Sequence, residues 1–94
     1  MKKIFKININ CGVNWVRMPV GARIVEFKKQ GYWLCVWYEF DVEARVGDDV
    51  KLTVYGTGHE IPQDEEYVDT FFDDTCFDDT FVWHLYKKVV NEQD

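Results

Sequence analysis

Residues 32–41 read Tyr-Trp-Leu-Cys-Val-Trp-Tyr-Glu-Phe-Asp, and their pattern decides the fold class. Tyr32, Leu34, Val36, Tyr38 and Phe40 alternate with Trp33, Cys35 and Trp37, so both faces of an extended segment are apolar or aromatic. A strand of that kind lies inside a sheet and is expected to be covered on both sides, as in a barrel, roll or sandwich. Just upstream, residues 22–29 form a second strand pattern, and Gln30-Gly31 supplies a tight hairpin turn between the two.

The same reading extends outward in both directions. Residues 2–9 place Phe5, Ile7 and Ile9 on one face of a half-buried strand. Asn10-Cys11-Gly12 turns the chain into a short strand at 14–18, and Pro19-Val20-Gly21 turns it again. Past a polar loop at 42–49, strands are expected at 50–55, 67–72 and 81–89, with an acidic loop at 60–66 and a polar turn at 73–80. No segment shows a capped 3.6-residue apolar period, and at most one helical turn is expected in 41–49 or 60–66. The expectation is an all-β, mostly antiparallel fold of about seven strands with little or no helix, a small barrel, roll or sandwich. One domain is expected over residues 1–90, with residues 91–94 a frayed tail.

Composition narrows the class. The 94 residues are 47% hydrophobic and 17% aromatic, too apolar for a disordered chain. No apolar run reaches membrane-spanning length. Lys6, Asn8 and Asn10 interrupt the N-terminal stretch where a signal peptide would need an apolar core. Cys11, Cys35 and Cys76 are odd in number and include no CxxC, which reads as reduced thiols in a cytosolic protein. The formal charge of −6 is unevenly spread: residues 1–59 hold nine Lys/Arg against six Asp/Glu, and residues 60–79 hold nine Asp/Glu and no cation. Net acidity argues against direct nucleic-acid binding, which needs a basic footprint, and suits a basic partner.

Four constellations offer chemistry. Tyr55-Gly56-Thr57-Gly58-His59 ends a strand with two glycines that can expose N–H groups to an anion, although the simpler reading is a turn leaving the sheet. It lacks the lysine of a phosphate-binding loop. In Phe81-Val82-Trp83-His84-Leu85-Tyr86, alternation separates Trp83 from His84. The latter can then meet His59, as metal ligands or as acid and base; a satisfied strand histidine is the plainer alternative. The repeat Phe72-Asp73-Asp74-Thr75 and Phe77-Asp78-Asp79-Thr80 gathers four aspartates that fit no EF-hand spacing, so a solvated hairpin tip able to dock on a basic surface is expected. Trp15, Trp33, Trp37, Tyr38 and Trp83 should mostly be core, but one exposed indole beside the Gly56–His59 turn would make a stacking platform for a flat ligand. No metal site and no cofactor are expected.

Several blocks in order resemble a family of short tailed-phage proteins known only as a domain of unknown function. They are residues 2–6, 18–25, Gly31 with 34–37, and most sharply Val54-Tyr55-Gly56-Thr57-Gly58-His59-Glu60-Ile61-Pro62. Tyr67-Val68-Asp69-Thr70 and Val82-Trp83-His84-Leu85-Tyr86 follow. The resemblance covers about residues 2–87. The chain departs from the pattern at 73–80, where the family has a shorter, glycine-containing turn, and adds a charged tail. The resemblance implies a phage gene product acting in the host bacterial cytoplasm, with no known activity. It raises Gly56, Thr57, Gly58, His59, Thr70, Trp83 and His84 as one shared ligand pocket.

Three functions are weighed. The first is a non-catalytic binding protein that sequesters a small anionic or nucleotide-like host signal in that pocket. The second is an acidic inhibitor docking on a basic host protein through Asp73, Asp74, Asp78 and Asp79. The third is a small hydrolase using His59 and His84. Exposed strand edges such as 14–18 leave room for a homodimer.

Overall fold

The computed structural model of the chain describes residues 1–74 and 81–90. Seven strands run through them: β1 (Lys2–Ile9), β2 (Gly12–Pro19), β3 (Arg23–Gln30), β4 (Trp33–Asp41), β5 (Val46–Gly56), β6 (Glu66–Asp73) and β7 (Phe81–Val90). All pairings are antiparallel. They build a three-stranded sheet in the order β1-β4-β3 and a four-stranded sheet in the order β2-β5-β7-β6. The described residues contain no helix. The architecture is therefore a sandwich, one of the forms expected, and it does not close into a barrel.

Only β3–β4 and β6–β7 pair strands that follow one another in the chain. The chain changes sheet from β1 to β2, from β2 to β3 and from β4 to β5, and from β5 to β6 it passes over the place of β7. Consecutive strands thus account for two of the five pairings. Between β3 and β4, Gly31 takes a φ of +65°; between β2 and β3, Gly21 takes +82°, and the Ala22 N–H donates to the Pro19 carbonyl at 3.1 Å. Both turns need the left-handed backbone that glycine adopts without steric cost. β5 begins at Val46, inside the segment expected to be a polar loop. Its first residues are drawn into the ladder by β2 and β7 rather than by their own propensity.

The core lies between the sheets and is supplied by alternate residues of each strand. Leu34, Val36 and Tyr38 of β4 face Leu52, Val54 and Leu85 of the opposite sheet, with Ile9, Met18, Phe27 and Val50 completing the cluster. The sheets also approach along β3 and β6. There Phe27 and Phe71 meet edge to face at 6.2 Å, and Lys29 lies 3.4 Å from the buried carboxylate of Asp73.

β4 departs from expectation in one respect. It is central, flanked by β1 and β3, but a second layer covers only the face bearing Leu34, Val36 and Tyr38. Trp33 and Trp37 point outward on a sheet face with no layer above it among the described residues, and Trp33 is 55% exposed. Cys35, between them, is nevertheless only 1% exposed. Asn8 and Lys28 flank it in register, Trp33 and Trp37 flank it along the strand, and its thiol donates to Asn8 Oδ1 at 3.3 Å; side chains of this length can cover a small residue on the outside of a two-layer fold.

Candidate functional site

His84 stands at the middle of the outward face of the four-stranded sheet. In register it lies between Tyr55 of β5 and Thr70 of β6. Alternation along β7 turns Trp83 and Leu85 toward the core and His84 and Tyr86 away from it. The imidazole is held at both nitrogens: Nε2 lies 2.9 Å from Thr57 Oγ1, and Nδ1 lies 3.1 Å from Thr70 Oγ1. Thr70 Oγ1 also lies 2.7 Å from the Tyr67 hydroxyl. The result is a chain of four polar side chains, Tyr67, Thr70, His84 and Thr57, with Thr57 and Tyr67 exposed at its ends. A threonine hydroxyl can donate or accept, so neutral and protonated imidazole are both satisfied by the same geometry.

The Gly-Thr-Gly-His segment is a turn with a defined job. The His59 N–H donates to the Gly56 carbonyl at 3.2 Å, and Gly58, third in the turn, takes a φ of +94°. A positive φ at that place is what a type II turn requires. The Gly56 N–H then donates to His59 Nδ1 at 3.1 Å, folding the ring back over the glycine. A Cβ on Gly56 would meet His59 Cε1 at 3.4 Å, so the absent side chain makes room for the ring.

This places the two imidazoles on opposite sides of the sheet. Gly56 is opposite Trp83 in register, and Trp83 packs on the core, so the side of Gly56 covered by the His59 ring is the inward-facing one. Thr57, one residue on, reaches His84 on the outward side. The single cavity expected to be shared by His59 and His84 is therefore not formed. Of the seven expected ligand-site residues, Thr57, Thr70 and His84 come together. Gly56, Gly58 and His59 form the turn that delivers Thr57. Trp83 stacks on Phe81 with centroids 5.7 Å apart, away from His84.

A second polar cluster on the same outward face was not legible in the sequence. Glu65, in the segment expected to be a solvated acidic loop, is buried. Its carboxylate accepts the Tyr55 hydroxyl at 2.5 Å and Lys51 Nζ at 2.9 Å. Burial pushes the Tyr55 hydroxyl up to about 12, and the adjacent Glu65 charge adds to the shift. Burial raises the Glu65 pKa, but the Tyr55 and Lys51 hydrogen bonds outweigh it and leave the carboxyl below its ordinary range. Tyr86 packs edge-on against both Tyr55 and Tyr67, tying this cluster to the His84 chain. Period two already put Lys51 and Tyr55 on one face of β5; nothing local signalled that a loop glutamate would reach them.

The acidic docking surface is divided. Asp73 is buried and faces Lys29, because alternation from Phe71 carries it inward; Asp74 is exposed. Asp78 and Asp79, with the second half of the repeat, lie outside the described residues, as do Cys76 and the tail 91–94. Among the described residues no group of three His, Cys, Asp or Glu is placed to hold a metal ion. A cleft of about 250 Å³ opens at the other end of the sandwich between Met18, Ile24, Val50 and Val89, with Lys87 at its wall, and contains none of the expected site residues.

No curated protein and no solved structure matches the chain. A family does, over residues 1–94, and the chain belongs to it: the family described as a domain of unknown function, DUF7352.

Proposed function

We propose that this protein acts by binding, and that the outward face around His84 takes a small nucleotide-like ligand. One observation carries the reading: an imidazole gripped at both nitrogens by threonine hydroxyls, with an exposed tyrosine at the end of the same hydrogen-bonded chain. Thr57, Thr70 and His84 offer donors and acceptors for phosphate or ribose oxygens. The Tyr67 ring, 54% exposed, offers a face for a base. Acid–base hydrolysis by two histidines has less support, since His59 is turned to the other side of the sheet.

The phage origin, the host-cytoplasm setting and a role in sequestering a host nucleotide signal belong to this proposal. They rest on the sequence blocks at 54–62, 67–70 and 82–86. The test is thermal unfolding of the purified protein with cyclic dinucleotides and with ADP-ribose-type compounds. A ligand present at about a hundred times its Kd adds about 2.7 kcal/mol of stability. The reading expects such a rise for at least one compound and its loss in His84→Ala and Thr57→Ala. A blank panel, or a rise that survives in both variants, overturns it.

A further inference from the structure

The outward face of the three-stranded sheet has a different chemistry from that of its partner sheet. Trp33 and Trp37 lie four residues apart on β4 and point to the same side, about 13 Å apart along a strand that rises ~3.3 Å per residue. Trp33 is 55% exposed and Tyr32 at the adjoining hairpin tip is 95% exposed; Ile4, opposite Glu39 toward the other end of the sheet, is 55% exposed. Lys6 is opposite Trp37 in register, and Lys28 is opposite Cys35. Lys6 Nζ donates to Gln30 Oε1, a bond that reaches from β1 to β3 across β4 between the two indoles. Lys2 and Arg23 stand at the far end, both within 3.6 Å of Glu39.

The outward phase of this sheet carries Lys2, Lys6, Arg23 and Lys28 against the carboxylates of Glu26, Glu39 and Asp41, a small local excess of cations in a chain whose total is −6. Lys3 and Lys29 stand on the inward phase, Lys29 against Asp73. Lys6, bonded to the neutral Gln30 amide, is the cation on this face set between the two indoles. An exposed indole and a half-buried one on the same side of a strand, with lysines alongside, suit a flexible chain of flat rings joined by anions.

We infer that this face, through Trp33, Trp37, Lys6 and Lys28, binds a single-stranded polynucleotide, the indoles stacking on bases and the lysines pairing with phosphates. The inference is independent of the His84 reading, and the two faces are tested by different variants. The experiment titrates the full chain with short oligothymidylate and oligouridylate, followed by indole fluorescence and by anisotropy of the labelled strand. Binding by either strand is expected, with a log–log salt slope of about −1.4 to −2.8, as two to four neutralised phosphates give. Trp33→Ala weakens binding about tenfold, the scale of one lost base stack. Lys6→Glu with Lys28→Glu weakens it further and flattens the salt slope. Trp15→Ala, which removes an exposed indole from the other sheet, leaves it unchanged.

Absence of binding at about 50 mM salt overturns the inference. So does equal weakening by Trp15→Ala. Sedimentation showing a dimer that Trp33→Ala dissociates, with no strand bound, also overturns it and assigns the face to a second copy of the chain. Circular dichroism of each variant confirms that a loss is not unfolding.

Discussion

On the four-stranded sheet, outward side chains bond to one another: His84 to two threonines, Glu65 to Tyr55 and Lys51, Lys88 to Asp64 at 2.6 Å. On the three-stranded sheet they lie over indoles, and the ion pairs, such as Lys28–Glu26 at 3.5 Å, are solvated. The first face includes a carboxylate whose side chain is 1% exposed; the second buries only a thiol. A buried charge depends on its partners, whereas solvated pairs contribute little. Stability is therefore concentrated on the first of these outward faces.

The largest effect is expected of Glu65→Ala. It strands Lys51 and Tyr55 beside an empty site and is expected to cost ~3 kcal/mol, lowering Tm by about 15 °C in a thermal melt. A loss as small as that of a surface glutamate would put the two faces on equal terms.

The same cluster predicts an alkaline limit. The Tyr55 pKa is about 12 in the folded chain and 10.0 in a free tyrosine. The folded state thus favours the neutral phenol. The resulting stabilisation is complete below pH 10 and is lost as pH rises toward 12. Glu65 acts with the opposite sense. Its depressed pKa gives stability that is present at neutral pH and is lost as acid protonates the carboxyl in the folded state. Denaturant midpoints across both ranges should fall at each end, and Glu65→Gln should blunt both falls.

His84→Ala is expected to cost less, about 1 kcal/mol or ~5 °C, because water can replace the imidazole at Thr57 and Thr70. On the opposite face, Glu39→Gln removes a carboxylate near both Lys2 and Arg23 and is expected to shift stability by no more than about 0.5 kcal/mol. A cost above that of His84→Ala would reverse the ranking of the faces. The smallest effect concerns Cys35: in a Cys76→Ser chain under native conditions, thiol reagent should modify exposed Cys11 and leave Cys35 intact, until Trp37→Ala opens the cover.

Much of this architecture is legible in the residues themselves. The inward residues of β1, β4 and β7 follow from period two, and so does the division of Trp83 from His84. The turns at Gly21 and Gly31 follow from glycine's tolerance of positive φ. Asp73 is legible in principle, since it shares a phase with Phe71, but the acidic repeat around it signals charge more strongly than alternation. Glu65 is not legible: its partners lie ten and fourteen residues away across a loop that carries no period.

Local sequence set the number of strands, the apolar side of most of them, and where glycine must turn the chain, because these depend on backbone geometry repeated every one or two residues; the start of β5 was set by its neighbours. Only the tertiary structure decided which sides meet. It put the His59 ring against Gly56 on one side of the sheet and His84 between two threonines on the other. It also left the second apolar face of β4 without a covering layer among the described residues. A strand's period says that two faces exist; whether one of them is covered depends on how many layers pack together, and the described residues form two.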